Sequence, residues 1–218
     1  DDVMAMTDWG ACERRLADGI ETLGVNVGPD IQAQLIAYLK ELVAWNGTYN
    51  LTAVRDPLAM VTRHLLDSLV VLDFVTGQRV VDVGSGPGLP GLVLAIARPG
   101  LSVTLVEANG KKAAFLRHVR RRLKLADVEV VQERVENWRS VGRYDCVICR
   151  AFAAADECAR LAGHLIAPGG RFLLMKGRDP ACELVDLPLA FRHVDTVALD
   201  VPGLDAQRHL AILEPGLI

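Results

Sequence analysis

From Arg79 to Met175, apolar strand-like runs alternate with helix-like ones, and no other feature of the chain limits its fold as much. Arg79 to Val83 is followed by the helical run Pro90 to Ala97, and Ser102 to Val106 by Lys111 to Leu123. Val128 to Val131 and Tyr144 to Cys149 read as the third and fourth strands. Ala154 to Ile166 then reads as a helix, and Arg171 to Met175 as a fifth strand after the turn Pro168-Gly169-Gly170. Near-continuous apolar strands joined by helical crossovers predict a parallel sheet with helices on both faces. The end of the chain breaks the pattern. Arg192 to Val201 and His209 to Leu213 are strand-like and are joined by Pro202-Gly203-Leu204-Asp205-Ala206 with no helix, which predicts an antiparallel hairpin.

The first 75 residues read as helical. Ile31 to Leu42 carries apolar residues at helical intervals, and Asp56-Pro57 supplies an N-cap followed by proline at the first helical position. The helix begun there places Leu58, Val61, Leu65, Leu69 and Leu72 on one side. We therefore expect a helical N-terminal extension over residues 1–75, packed on an α/β domain over 76–218. With 51% of its 218 residues apolar the chain can fill a sizeable core, yet no run reaches the about 18 uninterrupted apolar residues of a membrane span. Five scattered cysteines and an Asp1-Asp2-Val3 start without a signal-peptide layout suit free thiols and a cytoplasmic location.

The first strand, Val80-Val81-Asp82-Val83, breaks into Gly84-Ser85-Gly86-Pro87-Gly88-Leu89-Pro90-Gly91 before the helix begins. Glycines there let the backbone take positive φ and let a ligand approach without meeting a Cβ. Two framings compete beside a purely structural tight turn. Gly84-x-Gly86-x-Gly88 fits the first motif of a methyltransferase, whereas Gly86-Pro-Gly88-Leu-Pro-Gly91 satisfies the dinucleotide pattern and would make the chain a nicotinamide-dependent oxidoreductase. A pyrophosphate needs backbone N–H donors at this turn, and Pro87 and Pro90 each remove one. S-adenosylmethionine carries no phosphate and does not miss them. Glu107 ends the second strand 23 residues beyond Gly84, where a carboxylate can accept from both ribose hydroxyls of an adenosine. Arg134-Val135-Glu136 follows the third strand, where a loop closes over the adenine. Arg150 follows the fourth, at the carboxyl edge where open α/β sheets bind ligands, and opens the apolar run Ala151-Phe152-Ala153. A parallel sheet that closes in a hairpin resembles the S-adenosylmethionine-dependent methyltransferase fold, with that cofactor in the glycine turn and S-adenosylhomocysteine as product.

Charge singles out one element. The net charge is −3, but Lys111 to Lys124 holds seven Lys or Arg (Lys111, Lys112, Arg117, Arg120, Arg121, Arg122 and Lys124) and no acid. Phe115, Leu116, Val119 and Leu123 form the apolar stripe of that helix, which leaves most of the basic groups facing solvent. Such a face is either simply solvated or a footprint for a phosphate backbone. If the latter, a non-catalytic RNA-binding module is a further reading.

Several ordered motifs resemble one family, the bacterial small-subunit rRNA guanine-N7 methyltransferases, also called glucose-inhibited division protein B. They are Trp45-Asn46-Gly47-Thr48-Tyr49-Asn50-Leu51-Thr52-Ala53-Val54-Arg55-Asp56-Pro57, Arg63-His64-Leu65-Leu66-Asp67-Ser68, the turn from Asp82 to Gly91, Arg134-Val135-Glu136, Arg150-Ala151-Phe152-Ala153 and Lys176-Gly177. Ala53 and Cys149 stand where the family's pattern has serine. The resemblance implies methyl transfer from S-adenosylmethionine to N7 of a single guanine in the decoding-region loop of 16S rRNA, on naked rRNA or the small ribosomal subunit. It implies cofactor contacts at Gly84, Leu89, Val135, Glu136 and Arg150, to which the glycine turn adds Gly86 and Gly88 and the second strand adds Glu107. Asn50, Arg55, Arg63, His64, Lys111, Lys112, Arg120, Arg121, Arg122 and Lys176 are the RNA-binding candidates. Asn46 and Tyr49 can help to seat the RNA, and Trp45 is read as core. A monomer is expected, with no metal and no membrane partner.

Guanine N7 is an unprotonated acceptor on the major-groove edge, so its methylation requires no general base and no catalytic side chain is expected. The run Cys149-Arg150-Ala151-Phe152 stands where an exocyclic-amine methyltransferase would carry Asn-Pro-Pro-aromatic. Two other constellations are set aside. Cys146 and Cys149 lie three apart on a strand and so face opposite ways. His64, Asp67 and Ser68 share a helix face but lack the Gly-x-Ser-x-Gly turn of a hydrolase; they read as a surface or RNA-facing helix.

Overall fold

The computed structural model describes residues 2–150 and 154–216. Seven strands form one sheet: β1 Arg79–Val83, β2 Ser102–Val106, β3 Val128–Val131, β4 Tyr144–Arg150, β5 Ile166–Lys176, β6 Phe191–Leu199 and β7 Arg208–Pro215. Their order is β3-β2-β1-β4-β5-β7-β6. The first five are parallel, and β7 runs antiparallel between β5 and β6. This is the expected mostly parallel sheet ending in a hairpin.

The helices are α1 Asp2–Met6, α2 Trp9–Leu23, α3 Pro29–Tyr49, α4 Pro57–Met60, α5 Asp67–Leu69, α6 Gly91–Ala97, α7 Gly110–Arg122 and α8 Ala155–Ala162. Strand residues alternate between two apolar cores. Val80, Leu105, Cys146, Ile148, Leu173 and Leu210 face the layer that contains α2, α3, α6 and α7, whereas Val81, Val106, Cys149, Phe172, Leu174 and Ala211 face α8. Cys146 and Cys149 thus lie in different cores, as the period of a strand requires. The first core runs without a break from Cys12 and Leu16 through Leu39 to Ile212, so the N-terminal helices share it with the sheet. Among the described residues no helix is long and apolar enough to cross a membrane.

Two elements depart from the sequence reading. The helix expected over Ala154 to Ile166 stops at Ala162, and after a 3₁₀ turn Ile166 already belongs to β5 because it pairs with Tyr144. A register shift between Tyr144 and Cys146 absorbs Pro168-Gly169-Gly170 within that strand, where a separate turn was expected. The helix begun at Asp56 is capped as expected, its carboxylate accepting from Leu58 N at 3.2 Å, but α4 opens into a π-helical turn, Val61–Leu66, before α5. Such turns carry one extra residue and rotate the helix beyond them. His64, Asp67 and Ser68 lie inside the protein, in a run buried without a break from His64 to Leu69. The reading of them as a surface helix is therefore corrected: packing of this stretch against α2 and α6 outweighs the polar character of its side chains.

Candidate functional site

The carboxyl ends of β3, β2, β1 and β4 are neighbours in the sheet, and each of the four expected cofactor segments lies at or just beyond one of them. The turn after β1 is built on glycines at φ 73° (Gly84), 57° (Gly86) and 106° (Gly88), conformations that L side chains rarely adopt. A Cβ on Gly86 would meet nothing within 4 Å, which leaves room above the turn; one on Gly91 would lie 2.6 Å from both Asp82 Cβ and Leu105 Cδ2.

Every N–H of the turn is already engaged. Gly84 and Ser85 donate to the Val106 carbonyl, Gly88 and Leu89 to Ser85, and Leu92 to Gly88. Gly86 N–H donates to Glu107 Oε1 at 2.8 Å, and Gly91 N–H to Asp82 Oδ2 at 2.9 Å. Pro87 and Pro90 have none to give. A loop without spare donors is poorly made for a pyrophosphate. It is better suited to a ligand that offers hydroxyls and an apolar ring, and that counts against the dinucleotide framing.

Glu107 directly follows β2 and is gripped on both oxygens, by Gly86 N–H and by Asn109 N–H at 2.7 Å. Asp82 is fully buried beneath the turn with Oδ1 lacking a partner among the described residues, and burial pushes its carboxyl up to about 7. Leu89 is buried. Val135 is buried in a 3₁₀ turn after β3, and Glu136 beside it is half-buried with Arg134 at 3.9 Å. Arg150, the last residue of β4, is paired with Asp67 Oδ2 at 3.0 Å, and Arg208 at the start of β7 pairs with Asp67 Oδ1 at 3.0 Å. Ala151, Phe152 and Ala153 lie outside the described residues.

The turn is also held from outside the sheet. The Tyr38 hydroxyl, on α3, donates to the Pro87 carbonyl at 2.7 Å. Farther along α3, Asn46 Oδ1 accepts from Thr52 N at 2.9 Å, and Thr52 Oγ1 meets His64 Nε2 at 2.8 Å. Burial, with a smaller contribution from the charge of Arg150, lowers His64 to about 4, so the ring is neutral near pH 7. Tyr38, Asp67 and Arg208 were not singled out as site residues from sequence. Asp67 sat in a quoted motif but was read as surface, and Arg208 carried no signal beyond its charge.

The RNA candidates divide by exposure. Lys111, Arg120 and Arg121 are exposed on α7 and Lys112 is half-buried; Arg122 is exposed and pairs with Glu41 of α3 at 3.3 Å. His118 meets the same carboxylate at 2.8 Å. Arg55 is exposed and donates to Asn50 Oδ1 and the Asn46 carbonyl, and Arg63 is exposed. Two candidates are turned inward. His64 is only 7% exposed, and Lys176 pairs with Glu183 at 3.3 Å with 11% of its side chain exposed. Neither presents much surface to a polyanion. Trp45 is half-buried between Phe115 and His118, with Tyr49 packed on it and 42% exposed.

Comparison with known proteins points the same way. The family model described as rRNA small subunit methyltransferase G matches residues 31–211. The chain is 48% identical over 207 residues to the ribosomal RNA small subunit methyltransferase G of Nitrosospira multiformis, covering 92% of this chain and 96% of that one. It is 43% identical over 204 residues to the protein of the same name from Escherichia fergusonii, covering 94% and 99%. Among solved structures, one described as a predicted O-methyltransferase from Agrobacterium tumefaciens superposes with a TM-score of 0.54 at 23% identity, over 70% of this chain and 80% of that one. That likeness concerns the fold.

Proposed function

Because the chain belongs to the rRNA small subunit methyltransferase G family, we propose that it moves the methyl group of S-adenosylmethionine to N7 of one guanine in the decoding-region loop of 16S rRNA. The observation that carries this reading is the meeting, at four adjacent strand ends, of a glycine turn with no spare N–H, Glu107, Glu136 and Arg150. The space above Gly86 fits an adenosine-bearing ligand without phosphate.

In this reading Glu107 accepts from the ribose hydroxyls and Val135 and Glu136 border the adenine. Gly84, Gly86, Gly88 and Leu89 form the floor, and Arg150 faces the amino-acid end. The bound cofactor supplies an electrophilic methyl on a sulfonium. Guanine N7 brings its own lone pair, so the new N–C bond forms as the C–S bond breaks, and no side chain has to remove a proton. The protein contributes alignment, worth up to roughly 7 to 11 kcal/mol for the best oriented reactants. The exposed basic groups of α7, with Arg55, Arg63 and Asn50, hold the RNA backbone, and a monomer suffices.

Nucleoside mass spectrometry of 16S rRNA from cells with and without the gene tests the proposal. Loss of 7-methylguanosine without the gene, restored by the purified protein and labelled cofactor, is the expected result. Unchanged 7-methylguanosine would overturn it.

A further inference from the structure

The Asp67 carboxylate is 2% exposed and is shared by two arginines that lie 83 and 141 residues away in sequence. Each oxygen takes one guanidinium: Arg150 from the end of β4 on Oδ2, Arg208 from the start of β7 on Oδ1. Both guanidiniums remain about a third exposed, at 30% and 28%. A buried ion pair is a poor device for stability, since apolar residues of similar volume do as well or better. It is a good device for fixing direction, because a guanidinium presents its donors in a rigid fork. Asp67 directly follows the π-helical turn, in a run buried without a break from His64 to Leu69. Among the described residues the Arg150 side chain makes one hydrogen bond, to Asp67, and its other donors stand at the edge where α/β sheets bind ligands.

We infer that Asp67 is a positioning residue, which sets the guanidinium of Arg150 for the amino-acid end of the cofactor and is itself held by Arg208. The N-terminal helices thereby complete the cofactor site. This inference rests on the proposed orientation of Arg150 toward the cofactor, and the experiment separates the two.

In the full-length protein, S-adenosylhomocysteine is titrated calorimetrically into Arg150→Gln, Asp67→Asn, the double variant and Arg208→Lys. The KM values for cofactor and for rRNA are measured alongside. Arg150→Gln and Asp67→Asn should each weaken S-adenosylhomocysteine binding about tenfold while the rRNA KM stays within about twofold. The double variant should be no worse than Arg150→Gln alone, because Asp67 acts through Arg150. Arg208→Lys keeps the charge and loses the fork, so a smaller loss of cofactor affinity is expected. That variant carries the test if Asp67→Asn does not fold. Unchanged binding by Arg150→Gln overturns the orientation of Arg150 and the inference with it. Weakened binding by Arg150→Gln with normal binding by Asp67→Asn or by Arg208→Lys, or losses that add in the double variant, overturns the positioning role alone.

Discussion

Removing one hydroxyl tests whether the N-terminal helices hold the glycine turn. Tyr38 is fully buried, its ring packs 6.2 Å from Phe115, and its hydroxyl donates to the Pro87 carbonyl at 2.7 Å. Burial pushes this phenol far above its ordinary value, so the donor persists across the working pH range. Tyr38→Phe keeps the ring and its packing and deletes only the hydrogen bond. A net intramolecular hydrogen bond contributes about 0.5–1.5 kcal/mol, and stranding a buried acceptor costs about 1–3. Pro87 is half-buried, so water can reach its carbonyl from the turn side. The expected loss is therefore about 1–2 kcal/mol, which lowers the melting temperature of a chain this size by about 2–8 °C. Pro87 is flanked by two glycines at positive φ, and a turn that loses this tie spends part of its time in other shapes. Affinity for S-adenosylhomocysteine then falls by the fraction of turns out of place, about three- to tenfold. Urea unfolding at constant slope and titration calorimetry read the two effects. An unchanged midpoint would refute the hydrogen-bond reasoning, and a lowered midpoint with unchanged affinity would refute the link between α3 and the turn.

Asp82 and His64 give stability opposite pH dependences. Asp82 is raised by burial from 3.8 to about 7, so the native state holds its proton longer and stability from this group falls as pH rises from about 4 to 7. His64 is lowered by burial from 6.5 to about 4, so its contribution grows with pH between about 4 and 6.5. Asp82→Asn should therefore leave a steeper rise in unfolding free energy over pH 4–6.5 than the unaltered protein shows, measured by urea titration at several pH values; an unchanged profile would place Asp82 near its ordinary value. Gly91→Ala forces a methyl to within 2.6 Å of Asp82 and Leu105, and overpacking of this kind should cost about 1–3 kcal/mol in a thermal melt. Replacing Arg120, Arg121 and Arg122 with glutamine should weaken RNA binding and reduce the slope of log K against log salt by about 2–3. An unaltered slope in filter binding would make α7 a solvated face only.

The parallel sheet was legible because strands buried on both faces, such as β1 and β2, have little choice but to be apolar, and β1, β2 and the edge strand β3 begin and end where their sequences predict. Helix caps with their own chemistry, such as Asp56-Pro57, were legible for the same local reason. Ile166 was not, because its strand character comes from Tyr144 across the sheet and not from its neighbours in sequence. The segments proposed for the cofactor could be placed from order alone, since each lies at or just beyond the end of a parallel strand. Asp67 and Arg208 could not: a carboxylate between two leucine-rich turns looks like any exposed helix residue until the two arginines from β4 and β7 close over it. The inward turn of His64 and Lys176 was hidden too, since whether a polar side chain meets solvent is decided by what packs over it.

Helix α3 touches the glycine turn through Tyr38 and the basic helix α7 through Glu41, one helical turn farther on. A helix is stiff along its axis, so a displacement imposed at one of these contacts is delivered to the other. Wherever RNA on α7 shifts α3, it also shifts Pro87, and the free energy of that coupling is a property of the pair. Reciprocity then requires that cofactor alter RNA affinity by the same factor by which RNA alters cofactor affinity. An element outside the sheet would in this way join two separate binding events into one linked equilibrium, in which whichever ligand arrives first sets the affinity for the second.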